Sequence, residues 1–233
     1  MDYVSVILPT YNEREAIVSH ANHVSKILSQ AGYKHEVIVV DDDSPDGTAQ
    51  VVEQEQVNNK NIKLLIRRNN HGLGLSIGDG IRYAEGNIIV GMDSDGNHDP
   101  RDLPKILKEL THGKAKLVVA SRFAGEGGMH GWRMIPTFLF NAMFRIWGLP
   151  IWDNTSGYYA VQKKDLESLG IAKIYYGYGD YHLRMLWYAK LKKWMIKEVP
   201  TKYQPRIGGE TKSRLGQMAI DYTKEVIRLR SVT

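Results

Sequence analysis

The sequence predicts one α/β domain, a mostly parallel sheet with helices on both faces. Three observations carry this. Through about residue 122, short apolar runs alternate with polar loops and stretches of helical spacing, the order a parallel sheet with crossover helices requires. The runs are brief, β-branched and bounded by Gly, Pro or acidic residues, as buried strands are. A length of 233 residues suits one large domain or at most two small ones.

Residues 4–8 form the first apolar strand, ended by Pro9. Thr10-Tyr11-Asn12-Glu13 is a polar turn that offers Asn12 as a helix N-cap. Ile17, Ala21, Val24, Leu28 and Ala31 recur at helical spacing, and Gly32 ends that helix. Residues 36–40 are the second strand, running into Asp41-Asp42-Asp43-Ser44-Pro45-Asp46-Gly47-Thr48, with a helix to about Val57. Residues 62–66 are a third strand, and Gly72-Leu73-Gly74 opens a helix through about Ala84. The fourth strand is the apolar run that opens the stretch Asn87 to Asn97, bounded by Gly86 and Gly96 and leading into Asp93 and Asp95; Asp99-Pro100 starts the next helix with Pro100 in its first turn, and residues 116–120 are the fifth strand.

Beyond residue 122 the character changes. Residues 123–132 are glycine-rich, and residues 135–149 are apolar and aromatic but too short to span a bilayer, so they form a buried or an interfacial helix. Residues 158–161 read as a strand, 180–191 as a helix and 195–199 as a strand. Gly208-Gly209-Glu210-Thr211 is a flexible loop beside basic residues. The last helix, about 213–230, sets Leu215, Met218, Tyr222, Val226 and Leu229 on one stripe that suits a core, a dimer interface or a membrane surface.

The chain has no cysteine, which excludes disulfides, thiolate metal sites and a cysteine nucleophile and fits a reducing compartment. A strand begins within a few residues of Met1, so no signal peptide is expected. No stretch approaches the ~18 apolar residues of a membrane span, so the chain is expected to be soluble or peripheral. Its net charge of +5 suits an anionic substrate or a membrane surface, and nothing points to nucleic acid.

Three strands end in acidic loops: Asn12 and Glu13, Asp41 to Asp43, and Asp93 and Asp95. In an open α/β sheet such loops share the carboxyl edge, where ligands bind. Asp93, Asp95 and Asn97 stand at alternate positions and can converge on one hard cation, with phosphates completing its shell. Taken alone, Asp-x-Asp reads first as a polar turn; its company shifts the reading, because clustered carboxylates repel unless a cation or donors compensate. The acid at the end of the second strand suits ribose hydroxyls, although Asp46 or Ser44 can instead cap the following helix. Gly72-Leu73-Gly74 is a tight start to a helix rather than a dinucleotide cradle. His71, His98, His112 and His130 lack metal-ligand spacing and read as surface or loop residues. Arg122 follows the fifth strand, Arg133 follows the glycine-rich loop, and Arg206 and Lys212 bracket Gly208-Gly209-Glu210. Such residues suit phosphates, and a glycine loop can close over a ligand.

Pro9-Thr10-Tyr11-Asn12-Glu13, Asp42-Asp43-Ser44-Pro45-Asp46-Gly47-Thr48, Met92-Asp93-Ser94-Asp95-Gly96-Asn97-His98-Asp99-Pro100 and Ser121-Arg122-Phe123 resemble the family 2 inverting glycosyltransferases, most closely their dolichol-phosphate mannose synthase branch. Asp153-Asn154-Thr155-Ser156-Gly157-Tyr158, Glu198-Val199-Pro200 and the run from Arg206 to Lys212 extend the resemblance over nearly the whole chain. It implies a GT-A fold with a nucleotide-sugar half to about residue 122, an acceptor half to about 212 and the tail helix. Pro9, Tyr11, Glu13 and Asp42 would then hold the nucleoside, with Ser94 also at the donor. Asp93, Asp95 and Asn97 would hold Mg2+ or Mn2+ and the diphosphate. Arg122 and Arg133 would clamp an acceptor phosphate, Arg206 and Lys212 would neutralise the donor, and Asp95, Arg122 and Arg133 would be catalytic. The implied reaction carries mannose from GDP-mannose to a polyprenyl or dolichyl phosphate. The implied setting is the cytoplasmic face of a membrane, with peripheral contact or an anchoring subunit.

Two departures stand out. The Gln-x-Glu often found after the Gly-Tyr segment is replaced by Gly177-Tyr178-Gly179-Asp180-Tyr181-His182-Leu183-Arg184, which puts the role of Asp180 in doubt. The Gln-x-x-Arg-Trp of processive synthases is absent, which argues for single transfers. Alternatives are a UDP-glucose donor, another acceptor, or a silent nucleotide-sugar-binding subunit. A P-loop phosphotransferase is disfavoured because no Gly-Lys-Ser/Thr is present.

Overall fold

The computed structural model describes residues 2–129, 131, 134–206 and 215–232. The chain runs β1 (Tyr3–Thr10), α1 (Ile17–Gln30), β2 (Lys34–Asp41), α2 (Thr48–Asn58), β3 (Ile62–Ile66), α3 (Leu73–Tyr83) and β4 (Ile88–Gly91). A 3-10 turn (Pro100–Asp102) leads into α4 (Leu103–His112), β5 (Leu117–Ser121), α5 (Met134–Ile146), β6 (Tyr159–Gln162), α6 (Lys163–Leu169) and α7 (Ile171–Ile174). The remainder is α8 (Tyr181–Leu191), β7 (Ile196–Pro200) and α9 (Leu215–Arg230). The strands form one sheet in the order β3-β2-β1-β4-β6-β5-β7. β6 runs antiparallel to β4 and β5, and every other pairing is parallel.

The apolar runs bury both sheet faces, because successive side chains alternate sides. Val6, Leu8, Val37 and Val39 pack on one face with α1, α2 and α4. Ile7, Ile38, Val40 and Ile89 pack on the other with α3, α5, α8 and α9. The described part of the stripe on α9 is core: Tyr222, Val226 and Leu229 are buried and Met218 packs against them, while the Leu215 side chain lies outside the described residues. α5 differs, since it buries Asn141 and Phe144 but exposes Ile135, Phe138, Leu139 and Ile146.

Several local expectations are corrected. Asn12 is not an N-cap: it sits at φ 53°, its N–H donates to Ser44 Oγ at 2.9 Å, and α1 starts only after Ala16. The intervening turn is closed instead by the Glu13 carbonyl, which accepts from Ala16 and Ile17. Neither Ser44 nor Asp46 holds the N-cap position of α2, although the Asp46 carboxylate accepts its first backbone N–H at 2.9 Å. Gly47, at φ 89°, occupies the cap, the Ser44 hydroxyl donates to Asp41, and Asp46 accepts from Thr48. α6 and α7 leave no signature in the sequence, because both are too short to display a helical period.

Gly91 lies opposite Tyr159 in the β4–β6 pairing, and a Cβ there would collide with the tyrosine ring. Gly91→Ala is therefore expected to cost about 1–3 kcal/mol from overpacking. A thermal melt would show this as a lowered Tm.

Candidate active site

β1, β2 and β4 are parallel neighbours, so their acidic loops emerge at one edge of the sheet. There they wall an open cleft of ≈ 610 Å³. It is lined by Pro9, Tyr11, Glu13, Asp42, Asp93, Ser94, Asp95 and Arg206, residues drawn from both ends of the chain. Thr10, His71, Gly72, Leu73, Ser76 and Tyr178 complete the lining without having been singled out for it. Their signal was present but indirect, in the Gly72-Leu73-Gly74 helix start and the Gly-Tyr segment.

Asp42 is fixed from the α3 side. Its carboxylate pairs with the buried Arg67 and accepts the Gly72 N–H at 2.8 Å. Arg67 is held in turn by Asp79 at 2.7 Å. Ser94 donates to the Pro9 carbonyl at 2.9 Å, which ties the β4 loop to the β1 loop. Asp95 accepts both the backbone N–H and the side-chain amide of Asn97, each at 2.9 Å. Asn97 thus orients Asp95, and it does not line the cleft. Arg206 bridges the site: one guanidinium nitrogen lies 2.9 Å from Asp95 and the other 2.9 Å from Glu13.

His98 is not a surface residue, contrary to expectation. It is fully buried and stacks on Tyr158, with ring centroids 4.9 Å apart. Its Nδ1 accepts the Asp93 N–H at 3.0 Å, and its Nε2 meets the Ser156 carbonyl at 3.1 Å and the Tyr203 hydroxyl at 2.8 Å. Such a ring carries its proton on Nε2 and holds the Asp93 backbone in place. Spacing could not reveal this, because the partners lie 58 and 105 residues away.

Burial pushes Asp93 up to about 6, with the Glu13 charge adding to the effect and Arg206 and Arg122 opposing it. Burial and the neighbouring Asp93 charge also raise Asp95. Two carboxylates held unfavourably charged at one edge suit a hard cation. Among the described residues, no group of three or more His, Asp or Glu forms a complete metal cage, so any cation bound by this pair takes its remaining ligands from elsewhere. The donor chemistry of Asp93 and Asp95 fits Mg2+ or Mn2+ on those terms.

Arg122 does not line the cleft. It is buried and bidentate to Asp153 at 2.9 and 2.6 Å, with Thr155 Oγ1 at 2.9 Å. Tyr203 covers its guanidinium, and Nη1 makes no hydrogen bond among the described residues. Asp180 is also outside the cleft, paired with Arg184 at 2.5 Å. Arg133, Lys212 and His130 lie outside the described residues. His71 is exposed at the cleft rim and His112 is exposed at the end of α4.

Burial lowers His20, His98 and His182 to about 4. The unfolded chain binds these protons near pH 6.5 and the folded protein does not. Stability is therefore expected to fall as pH drops from about 6.5 towards 4, with Asp93 acting in the opposite sense. A series of melts across this window checks the sign, and His182→Leu should flatten the slope by about one proton.

Residues 5–170 match the family described as Glycosyl transferase family 2. The chain is 30% identical over 232 residues to a dolichol-phosphate mannosyltransferase of Pyrococcus furiosus, covering 97% of this chain and 63% of that protein. It is 29% identical over 215 residues to a polyprenol monophosphomannose synthase of Mycolicibacterium smegmatis, covering 89% and 79%. The chain thus spans less than two thirds of the length of the first of these relatives. Among solved structures, glucosyl-3-phosphoglycerate synthase of Mycobacterium tuberculosis, in complex with Mn2+, UDP and glucosyl-3-phosphoglycerate, superposes with a TM-score of 0.76 at 21% identity, covering 100% of this chain and 81% of that one. Mannosyl-3-phosphoglycerate synthase of Rubrobacter xylanophilus gives 0.76 at 18% identity, covering 99% and 74%. At these identities the structural likeness is one of fold.

Proposed function

The chain belongs to glycosyl transferase family 2 and has the GT-A fold, and from that premise we propose that it moves mannose from GDP-mannose onto a polyprenyl phosphate such as dolichyl phosphate, with inversion. The observation that carries this is the meeting of Glu13, Asp42, Asp93, Asp95 and Arg206 around one cleft. The names of the two relatives supply the sugar and the acceptor class.

In this reading the nucleoside lies against Pro9, Tyr11 and Asp42, and Glu13 holds Arg206 beside it. Asp93 and Asp95 would hold Mg2+ or Mn2+, which supplies positive charge to the departing diphosphate. Arg206 exchanges its carboxylate partners for phosphate oxygens, and Lys212, six residues on, joins it. An acceptor phosphate oxygen, already anionic at neutral pH, forms the new bond to the anomeric carbon as the bond to the diphosphate breaks. No strong general base is needed, so the work of this chain is positioning and charge stabilisation. Arg122 offers Nη1 to the acceptor phosphate, with Arg133 as its partner. Residues to about 122 serve the donor and residues 123–212 chiefly the acceptor, with Tyr178, Arg206 and Lys212 returning to the donor side.

No described helix is long and apolar enough to cross a membrane. The exposed apolar face of α5 would rest peripherally on the cytoplasmic side of the bilayer that holds the lipid acceptor, alone or beside an anchoring subunit. Flotation with liposomes containing anionic lipid should carry the protein upward; protein that stays at the bottom sinks the peripheral reading. The function is tested by a transfer assay that crosses radiolabelled GDP-mannose and UDP-glucose with polyprenyl phosphate and a soluble acceptor. Metal-dependent lipid product from GDP-mannose is expected. Product from UDP-glucose alone would overturn the donor, and product on the soluble acceptor alone would overturn the lipid.

A further inference from the structure

Arg184, the fourth residue of α8, is fully buried and has no place in the chemistry above. Its Nε donates to the Ile174 carbonyl at 2.7 Å, Nη2 donates to the Tyr176 carbonyl, and Nη1 lies 2.5 Å from Asp180 and 3.3 Å from Glu225. The guanidinium also sits 3.5 Å over the Tyr176 ring. A buried arginine persists only when paired and hydrogen-bonded throughout, and only a planar fork reaches two carbonyls and two carboxylates together. Glu225 comes from α9. Arg228 holds it at 2.8 Å and also donates to the Tyr176 hydroxyl at 2.6 Å. The segment before α8 is thereby clamped to α9.

That segment builds one wall of the cleft. The Gly177 carbonyl accepts the Gly74 N–H at 3.0 Å, and Gly74 lies so close to the Tyr176 backbone that no Cβ fits. Two residues earlier, at the cap of α3, Gly72 donates to Asp42, and Tyr178 lines the cleft directly. A path therefore runs by contact from Glu225 to Arg184 and the Tyr176 carbonyl, along the backbone to Gly177, by hydrogen bond to Gly74, and along the backbone to Gly72, which donates to Asp42.

We propose that Arg184, set by Glu225 of α9, is a positioning residue for the nucleoside wall of the donor cleft. Docking of the last helix thus fixes how tightly a nucleoside diphosphate is held. This rests on the donor-site reading above. Neither side chain touches the cleft, so both act through the 174–180 segment.

The test uses the full chain with GDP and with UDP, each with Mn2+, titrated by calorimetry, and then donor and acceptor kinetics. Glu225→Gln is expected to raise the nucleoside diphosphate Kd and the donor KM roughly fivefold, within the range of side chains coupled through packed networks. kcat and the acceptor KM should stay unchanged. A merely structural role would instead reduce the active fraction, lowering apparent kcat and leaving Kd and donor KM where they were; that result overturns the proposal. Arg228→Gln, at a half-exposed side chain, keeps the fold and should move both constants in the same direction by less. Unaltered constants in both variants overturn this proposal alone. A wild-type protein that binds neither GDP nor UDP overturns it together with the donor-site reading.

Discussion

Asp95→Ala is expected to lower turnover by about 10³-fold or more and to remove metal-dependent nucleotide binding with it. A single preorganised electrostatic group at a site of developing charge contributes roughly 10²–10³ in rate, and Asp95 additionally holds Arg206 at 2.9 Å. One substitution would therefore disturb both charges set to meet the diphosphate. Asp93→Asn should be equally inactive but more stable than wild type near neutral pH. Partial desolvation, with the Glu13 charge adding to it, holds the folded-state carboxyl of Asp93 up at about 6. A carboxyl raised on folding opposes stability above its unfolded value near 4, and the opposition fades as pH falls through about 6. The gain is modest because the Asp93 side chain is 40% exposed and solvent screens its charge. Activity assays, calorimetry with GDP and Mn2+, and melts measure the three effects. Lost turnover with metal-dependent binding intact would assign Asp95 another role.

Arg122→Ala is expected to destabilise the protein by roughly 3–5 kcal/mol, the cost of leaving one member of a buried ion pair alone. Asp153 is fully buried and takes three hydrogen bonds from Arg122, counting the backbone N–H. At about 2–4 °C per kcal/mol for a chain of this size, the melt should shift downward by about 6–20 °C. Asp153→Asn should also destabilise, since the guanidinium then loses its counter-charge. The double variant Arg122→Met with Asp153→Leu separates structure from chemistry. Replacing both charges by apolar groups of similar volume is often neutral or stabilising, so Tm should recover towards wild type while turnover stays lost. Recovery of turnover along with Tm would show that Arg122 has no part in acceptor binding.

Much of the site was legible because its signals are local. Pro9, Tyr11, Glu13, Asp42, Asp93, Ser94 and Asp95 each sit directly after a short apolar run, and the end of such a run is a place that sequence marks well. Arg206 was visible only as a basic residue beside glycines. That it reaches Glu13 depends on a contact spanning 193 residues, which no periodicity encodes. The burial of His98 is hidden from the sequence for a similar reason. Its neighbours in sequence are polar, but its partners Ser156 and Tyr203 arrive from the second half of the chain. The pairing of Arg122 with Asp153, folded back from beyond α5, is likewise invisible in the sequence, where 31 residues separate the two.

The sequence by itself determined which segments are buried strands, which loops carry acid and that a hard cation and phosphates suit those loops. These properties follow from apolar pattern and from the charge of residues close together in the chain. The tertiary structure alone decided that β6 enters antiparallel between β4 and β5, that α9 is core, and that Arg184 and His98 are buried supports. Those outcomes depend on which distant surfaces pack together. Burial and pairing across long separations set the state of a polar side chain, and a linear pattern carries no record of its distant neighbours.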